Sequence, residues 1–137
     1  MPNKRFILSL FDGYSGIQIA LQRAGIRYDR CYSSEIDTYA IKACKAHFPD
    51  TIELGNVKML RLYLCTSQLN RDIMEIDDDT SGKTKRLIGH CNDILREGVW
   101  LLVAGFPCQS FSFAGKGLAF NDVRGQLFFD LVKYATP

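Results

Sequence analysis

The chain has 137 residues, 47% of them hydrophobic, which is enough for one domain with a packed core and too apolar for a disordered tail. Seventeen Lys and Arg against fifteen Asp and Glu give a net charge of +2, which neither demands nor excludes nucleic acid. The five cysteines are odd in number and form no Cys-x-x-Cys pair, which argues against a zinc knuckle or a disulfide framework and fits reduced thiols in the cytoplasm.

The N-terminal stretch "MPNKRFILSLFDG" has an apolar run too short for a signal peptide or a membrane span. Within it "RFILSLF", from Arg5 to Phe11, reads as a continuous apolar strand. The turn "DGYSG" follows, then a helix carrying Ile17, Ala20, Leu21 and Ala24, with Gly25 as its stop. "DRCYSSE" reads as a second strand. Asp37 is placed to cap a second helix, with Ala40, Ala43, Cys44 and His47 on one face and Pro49 after it. "TIEL" makes a short third strand ending at Gly55, and "WLLVAG" a fourth that is apolar without alternation, as if buried on both faces. "RGQLFFDLVKYA" reads as a last helix. Alternating strands and helices predict an α/β domain with a parallel sheet covered on both faces and right-handed crossovers.

Residues 58–98 do not fit the alternation and are expected to be an insertion or an irregular region, with the charged "EIDDDTSGKTKR" as a solvated loop. Asp77, Asp79, Ser81 and Gly82 copy the first half of a calcium loop, but Ile88 stands where the closing Glu belongs, so no metal is expected.

Two places carry chemistry. Gly13 and Gly16 sit where a strand hands over to a helix, a turn that lets a ligand approach the backbone closely. Glu35 follows nineteen residues after Gly16 at the end of the second strand, where an acid accepts hydrogen bonds from both hydroxyls of a ribose. "DGYSG" lacks the three-glycine dinucleotide arrangement, and Asp12 beside the helix start disfavours a pyrophosphate. A nucleoside ligand without phosphates, S-adenosylmethionine, fits better. An ordinary strand-to-helix turn with an exposed Glu35 remains the plain alternative.

The second place is "GFPCQSFS". Cys108 lies just past the fourth strand, where open α/β sheets bind ligands. Pro107 restricts the loop, and Gln109, Ser110 and Ser112 bring hydrogen-bonding groups. Phe106, Phe111 and Phe113 offer stacking surface, and Lys116 and Arg124 offer cations for phosphates. Most free cysteines are buried small hydrophobes, the reading given to Cys31, Cys44, Cys65 and Cys91.

Taken together, "GFPCQSFS" resembles the Pro-Cys motif of the DNA cytosine-5 methyltransferases. "FDGYSGIQIAL" is similar to that family's first cofactor motif and "SSEID" to its second. "GNV" at residues 55–57 looks like the third, and "RGQLFFDLVKY" like the motif after the catalytic loop. The resemblance covers most of the chain outside 58–98, as the N-terminal part of the catalytic domain. It implies a Rossmann-like S-adenosylmethionine-dependent fold with an incomplete sheet. Phe11, Gly13 and Gly16 would line the cofactor pocket, Glu35 would hold the ribose and Ile36 would pack on the adenine. Asn56 and Val57 would face the adenine amino group and ring, and Pro107 and Leu127 would border the cofactor. Cys108 would be the nucleophile, adding to carbon 6 of a flipped cytosine, with Gln109, Ser112 and Arg124 toward the DNA.

The sequence also departs from the family. Asn56 replaces the usual Asp, and "NDI" at Asn92–Ile94 offers a rival third motif. The Glu-Asn-Val motif, the Arg-rich motif and the target-reading region do not occur after Cys108. The expectation is therefore a truncated or split enzyme that is unstable, self-associating or completed by a second polypeptide, in a restriction-modification or phage setting. Alternatives are a non-catalytic S-adenosylmethionine-binding remnant or interaction module, and a tRNA cytosine-5 methyltransferase. A nicotinamide dehydrogenase fits worst, because the glycine pattern is wrong.

Overall fold

A computed structural model describes residues 4–57, 60 and 82–105. In chain order the elements are β1 (Phe6–Leu10), α1 (Gly16–Arg23), β2 (Arg30–Ser34), α2 (Thr38–His47), β3 (Ile52–Glu53), α3 (Gly82–Glu97) and β4 (Leu101–Ala104). The strands form one sheet in the order β3-β2-β1-β4, and every pairing is parallel. The chain winds outward from β1 through β2 to β3, then returns to place β4 on the other side of β1. That reversal is a topological switch point, the place where open α/β sheets bind ligands at the carboxyl ends of their strands.

β1 is buried along its whole length because both of its faces are covered. Phe6, Leu8 and Leu10 point to one side and join Tyr32, Leu54, Val57, Leu60, Cys91 and Ile94 in the larger core. Ile7 points to the other side and packs with Leu21 and Cys31, with Ile17 and Tyr28 at the margin. β4 is half-buried, and among the described residues it is an edge strand.

α2 starts as the sequence predicts. The Asp37 side chain accepts hydrogen bonds from the Tyr39 and Ala40 amides, satisfying two of the free donors at the helix start. Of the predicted inner face, Ala40 and Cys44 are buried, while His47 is exposed at the last turn. The three described cysteines, Cys31, Cys44 and Cys91, are all buried and free, as expected for small hydrophobes. Burial pushes the Cys91 thiol up to about 11, and that of Cys31 higher still, so neither is a nucleophile near neutral pH.

The main correction concerns 58–98. The last sixteen residues before Gly98 form the helix α3 rather than irregular chain, and its start takes in part of the charged stretch read as a loop. Ile88, Cys91 and Ile94 recur at helical spacing and are buried, Cys91 and Ile94 within the larger core, while Asn92 and Leu95 stay exposed. Polar residues dominate the sequence of this helix, which hides a narrow apolar stripe. α3 supplies the crossover into β4 that a parallel pairing requires. The expected loop at 75–81 and the last helix beyond Gly105 lie outside the described residues.

Candidate functional site

Four chain segments meet at the carboxyl edge of the sheet: Phe11–Gly16, Glu35–Asp37, Gly55–Val57 and Gly105. Ser34 ties three of them together. Its carbonyl accepts from the Phe11 amide at 2.8 Å and the Asp12 amide at 3.4 Å, and its hydroxyl donates to the Gly55 carbonyl at 2.7 Å. The Gly105 amide bonds to the Leu10 carbonyl at 3.3 Å, so the exit of β4 lies beside the exit of β1.

The Gly turn and the distant acid, separate in sequence, are in direct contact. Glu35 Oε2 accepts from the Gly13 amide at 2.7 Å, and its Oε1 accepts from the Ile36 and Asp37 amides at 2.8 and 3.0 Å. A carboxylate has about four acceptor positions, so three are in use and one is open. Gly13 has φ +58, in the left-handed region where a side chain is strained, and the space above both Gly13 and Gly16 is open. Phe11 and Ser15 share that left-handed conformation, at φ 56 and 61, without being glycines. Two such residues in one turn mark backbone strain held in place by its surroundings, a pattern that concentrates at ligand sites.

The surroundings are a buried polar network that the sequence reading did not single out. Gln18, 2% exposed, donates from Nε2 to Ser15 Oγ at 2.7 Å and to Thr51 Oγ1 at 2.8 Å. Its Oε1 accepts from the Tyr28 hydroxyl at 2.6 Å, so one carboxamide clamps the turn to the start of β3 and to the loop before β2. Asp12 spends its carboxylate in the same layer: Oδ1 accepts from Ser9 at 2.5 Å, and the Cys44 thiol lies 3.8 Å from Oδ2. No acidic side chain stands in the first turn of α1. The available signal for Gln18 was a polar residue on the inner face of an otherwise apolar helix.

Ile36 is 71% exposed beside Glu35, a large apolar group presented at the mouth of the site. Asn56 is exposed on the neighbouring loop, and Val57 is 5% exposed and belongs to the core below it. The rival motif at Asn92–Ile94 lies inside α3, with Asp93 paired to Arg30 and Arg96 and Ile94 in the core. It is not at a strand's carboxyl end, whereas residues 55–57 follow β3. Pro107, Cys108, Gln109, Ser112, Arg124 and Leu127 lie outside the described residues, so the site as described is its Gly-turn half. Among the described residues no group of His, Cys, Asp and Glu is arranged to hold a metal ion, and no helix is long and apolar enough to cross a membrane.

Comparison with known proteins gives the class. The model of the C-5 cytosine-specific DNA methylases matches residues 6–136, so the chain belongs to that family. It is 35% identical over 127 residues to the type II methyltransferase M1.ScrFI of Lactococcus lactis subsp. cremoris, covering 93% of this chain and 24% of that protein. It is 35% identical over 136 residues to the type II methyltransferase M.HpaII of Haemophilus parainfluenzae, covering 96% of this chain and 29% of that one. A solved mutant form of DNMT2 from Spodoptera frugiperda matches with 26% identity and a TM-score of 0.49, over 94% of this chain and 30% of its own. The chain thus spans less than a third of the length of the curated relatives it matches.

Proposed function

We propose that this chain supplies the cofactor pocket and the nucleophile of a cytosine-5 methyltransferase that uses S-adenosylmethionine and acts on DNA. The observation that carries the reading is the contact between Glu35 and the Gly13 turn at a switch point of a parallel sheet. A ribose diol needs an acceptor for two hydroxyls. Glu35 offers one open position and a second when the Gly13 amide gives up its share. The open space over Gly13 and Gly16 accommodates a ligand close to the backbone, and exposed Ile36 gives an adenine ring an apolar surface. The turn lacks the three-glycine pattern of a dinucleotide pyrophosphate cradle. S-adenosylmethionine, when bound, contributes an electrophilic sulfonium methyl.

The residues do the rest. Ser34 and Glu35 hold the turns in register, and Gln18 and Asp12 brace them from below. Cys108 comes three residues after Gly105 in the sequence. In the role that the family resemblance assigns, its thiolate adds to carbon 6 of cytosine and makes carbon 5 an enamine nucleophile, which would take the sulfonium methyl with S-adenosylhomocysteine as the leaving group. A general base then removes the carbon 5 proton and the thiolate leaves. The base must first be flipped out of the duplex, at a cost of a few kcal/mol. Pro107 and Leu127 complete the pocket in this proposal, and Gln109, Ser112 and Arg124 face the DNA. The family's Glu-Asn-Val and target-reading segments must be supplied alongside, in continuous sequence or by a second polypeptide.

The test is covalent trapping on DNA containing 5-fluorocytosine, with S-adenosylmethionine and those remaining segments present. The protein is expected to form a denaturation-resistant adduct that Cys108→Ser abolishes while cofactor affinity is kept. An adduct that persists in Cys108→Ser would remove Cys108 from the chemistry.

A further inference from the structure

Ser9, Ser33 and Glu53 stand in one cross-strand row. Ser9 pairs with Ser33 across β1 and β2, and Ser33 pairs with Glu53 across β2 and β3. The row shares the sheet face of Ile7, against which Leu21 of α1 packs, and Ser9 joins it to the Asp12–Ser15 turn. Ser9 is used, because it holds Asp12. The other two are not: both carboxyl oxygens of Glu53 and the hydroxyl of Ser33 are buried without a hydrogen-bond partner among the described residues. A buried carboxylate left in this state costs far more than a neutral acid does.

We infer that Glu53 is a proton-linked positioning residue for the Asp12–Ser15 turn: as the neutral acid it is accommodated beneath the turn, and as the carboxylate it repels Asp12 and loosens the turn's attachment to the sheet. The inference rests on the proposed cofactor reading only for its effect on ligand affinity. The charged and titratable groups around Glu53, among the described residues, are Asp12 on the turn, Glu35 after β2, Lys45 and Cys44 on α2 and Cys31 on β2. Desolvation by burial, then the Asp12 charge, raises the Glu53 carboxyl above its ordinary 4.5, with the Lys45 ammonium opposing the rise and Glu35 adding to it. Lys45 is the one ammonium in this set, and it is already bonded to the Thr51 carbonyl. A carboxyl raised in the folded state gives stability that is complete at low pH and is lost as pH rises through its folded value.

The experiment measures urea unfolding of the protein without cofactor, and its affinity for S-adenosylmethionine, across mildly acidic to mildly alkaline pH. Wild type is compared with Glu53→Gln, which fixes the neutral state. Wild type is expected to lose stability with rising pH relative to Glu53→Gln, and to lose several-fold in affinity over the same interval, while the variant keeps both. Lys45→Met, which removes the one favourable ammonium, should shift the wild-type transition to higher pH and provides the test if Glu53→Gln fails to fold. Identical pH profiles in wild type and Glu53→Gln, or an unmoved transition in Lys45→Met, would overturn the inference. Absence of cofactor binding at every pH, with the stability difference intact, would instead sink the cofactor reading and leave the proton linkage standing.

Discussion

Replacing Glu35 tests the site at its joint. Its carboxylate takes three backbone amides, at 2.7, 2.8 and 3.0 Å, from two segments of chain. A hydrogen bond to a charged group contributes about 1.5–3 kcal/mol, but the Ile36 and Asp37 amides are exposed and water replaces most of what they lose. The part-buried bond to Gly13 carries the greater share, so Glu35→Ala should cost the fold about 2 kcal/mol. The ribose contacts are a separate loss. Their removal should weaken S-adenosylmethionine binding by about 1–3 kcal/mol, roughly 5- to 150-fold. Glu35→Gln keeps one acceptor oxygen, which can serve Gly13 or the 36–37 pair but not both, and should fall between wild type and alanine on both measures. Urea unfolding reads the first effect and calorimetric titration the second. A folded Glu35→Ala protein with wild-type cofactor affinity would refute the placement of the ribose, whatever happened to stability.

Two further substitutions probe the turn itself. Gly13→Ala meets no neighbouring atom but forces a side chain into φ +58, so it should cost about 1–2 kcal/mol in chemical denaturation; an unchanged midpoint would show that the turn relaxes. Gln18→Leu leaves the Tyr28, Ser15 and Thr51 hydroxyls without their shared partner and should destabilise the protein by about 2–4 kcal/mol. A loss under about 0.5 kcal/mol, the size of an ordinary surface change, would mean that the clamp is dispensable.

The order of strands and helices was legible because β1 and β4 are short apolar runs and most turns carry glycine or proline. Asp37 announced its helix because a cap uses a local side chain, and Glu35 stood out as a candidate because strand end and spacing are both linear properties. α3 was not legible in the same way. Its charged start reads as a loop, and only its packing against Phe6, Leu8 and Tyr32 makes the stripe of Leu87, Cys91 and Ile94 decisive. Gln18, Ser34 and Glu53 escaped for a related reason. Gln18 and Ser34 act through partners twenty or more residues away, Thr51 and Gly55, and Glu53 stands in a row with Ser33 and Ser9 that only the strand register brings together. A polar residue buried by such contacts looks, in one dimension, like any polar residue at the end of an element.

The account's central claim is that the Gly13 turn and Glu35 form a nucleoside pocket without a phosphate cradle. The most direct measurement is a pair of calorimetric titrations of the folded protein, one with S-adenosylmethionine and one with NAD. The account predicts saturable one-site binding of S-adenosylmethionine and none of NAD. Binding of NAD in preference, or of neither ligand by a protein that still unfolds cooperatively, would contradict it.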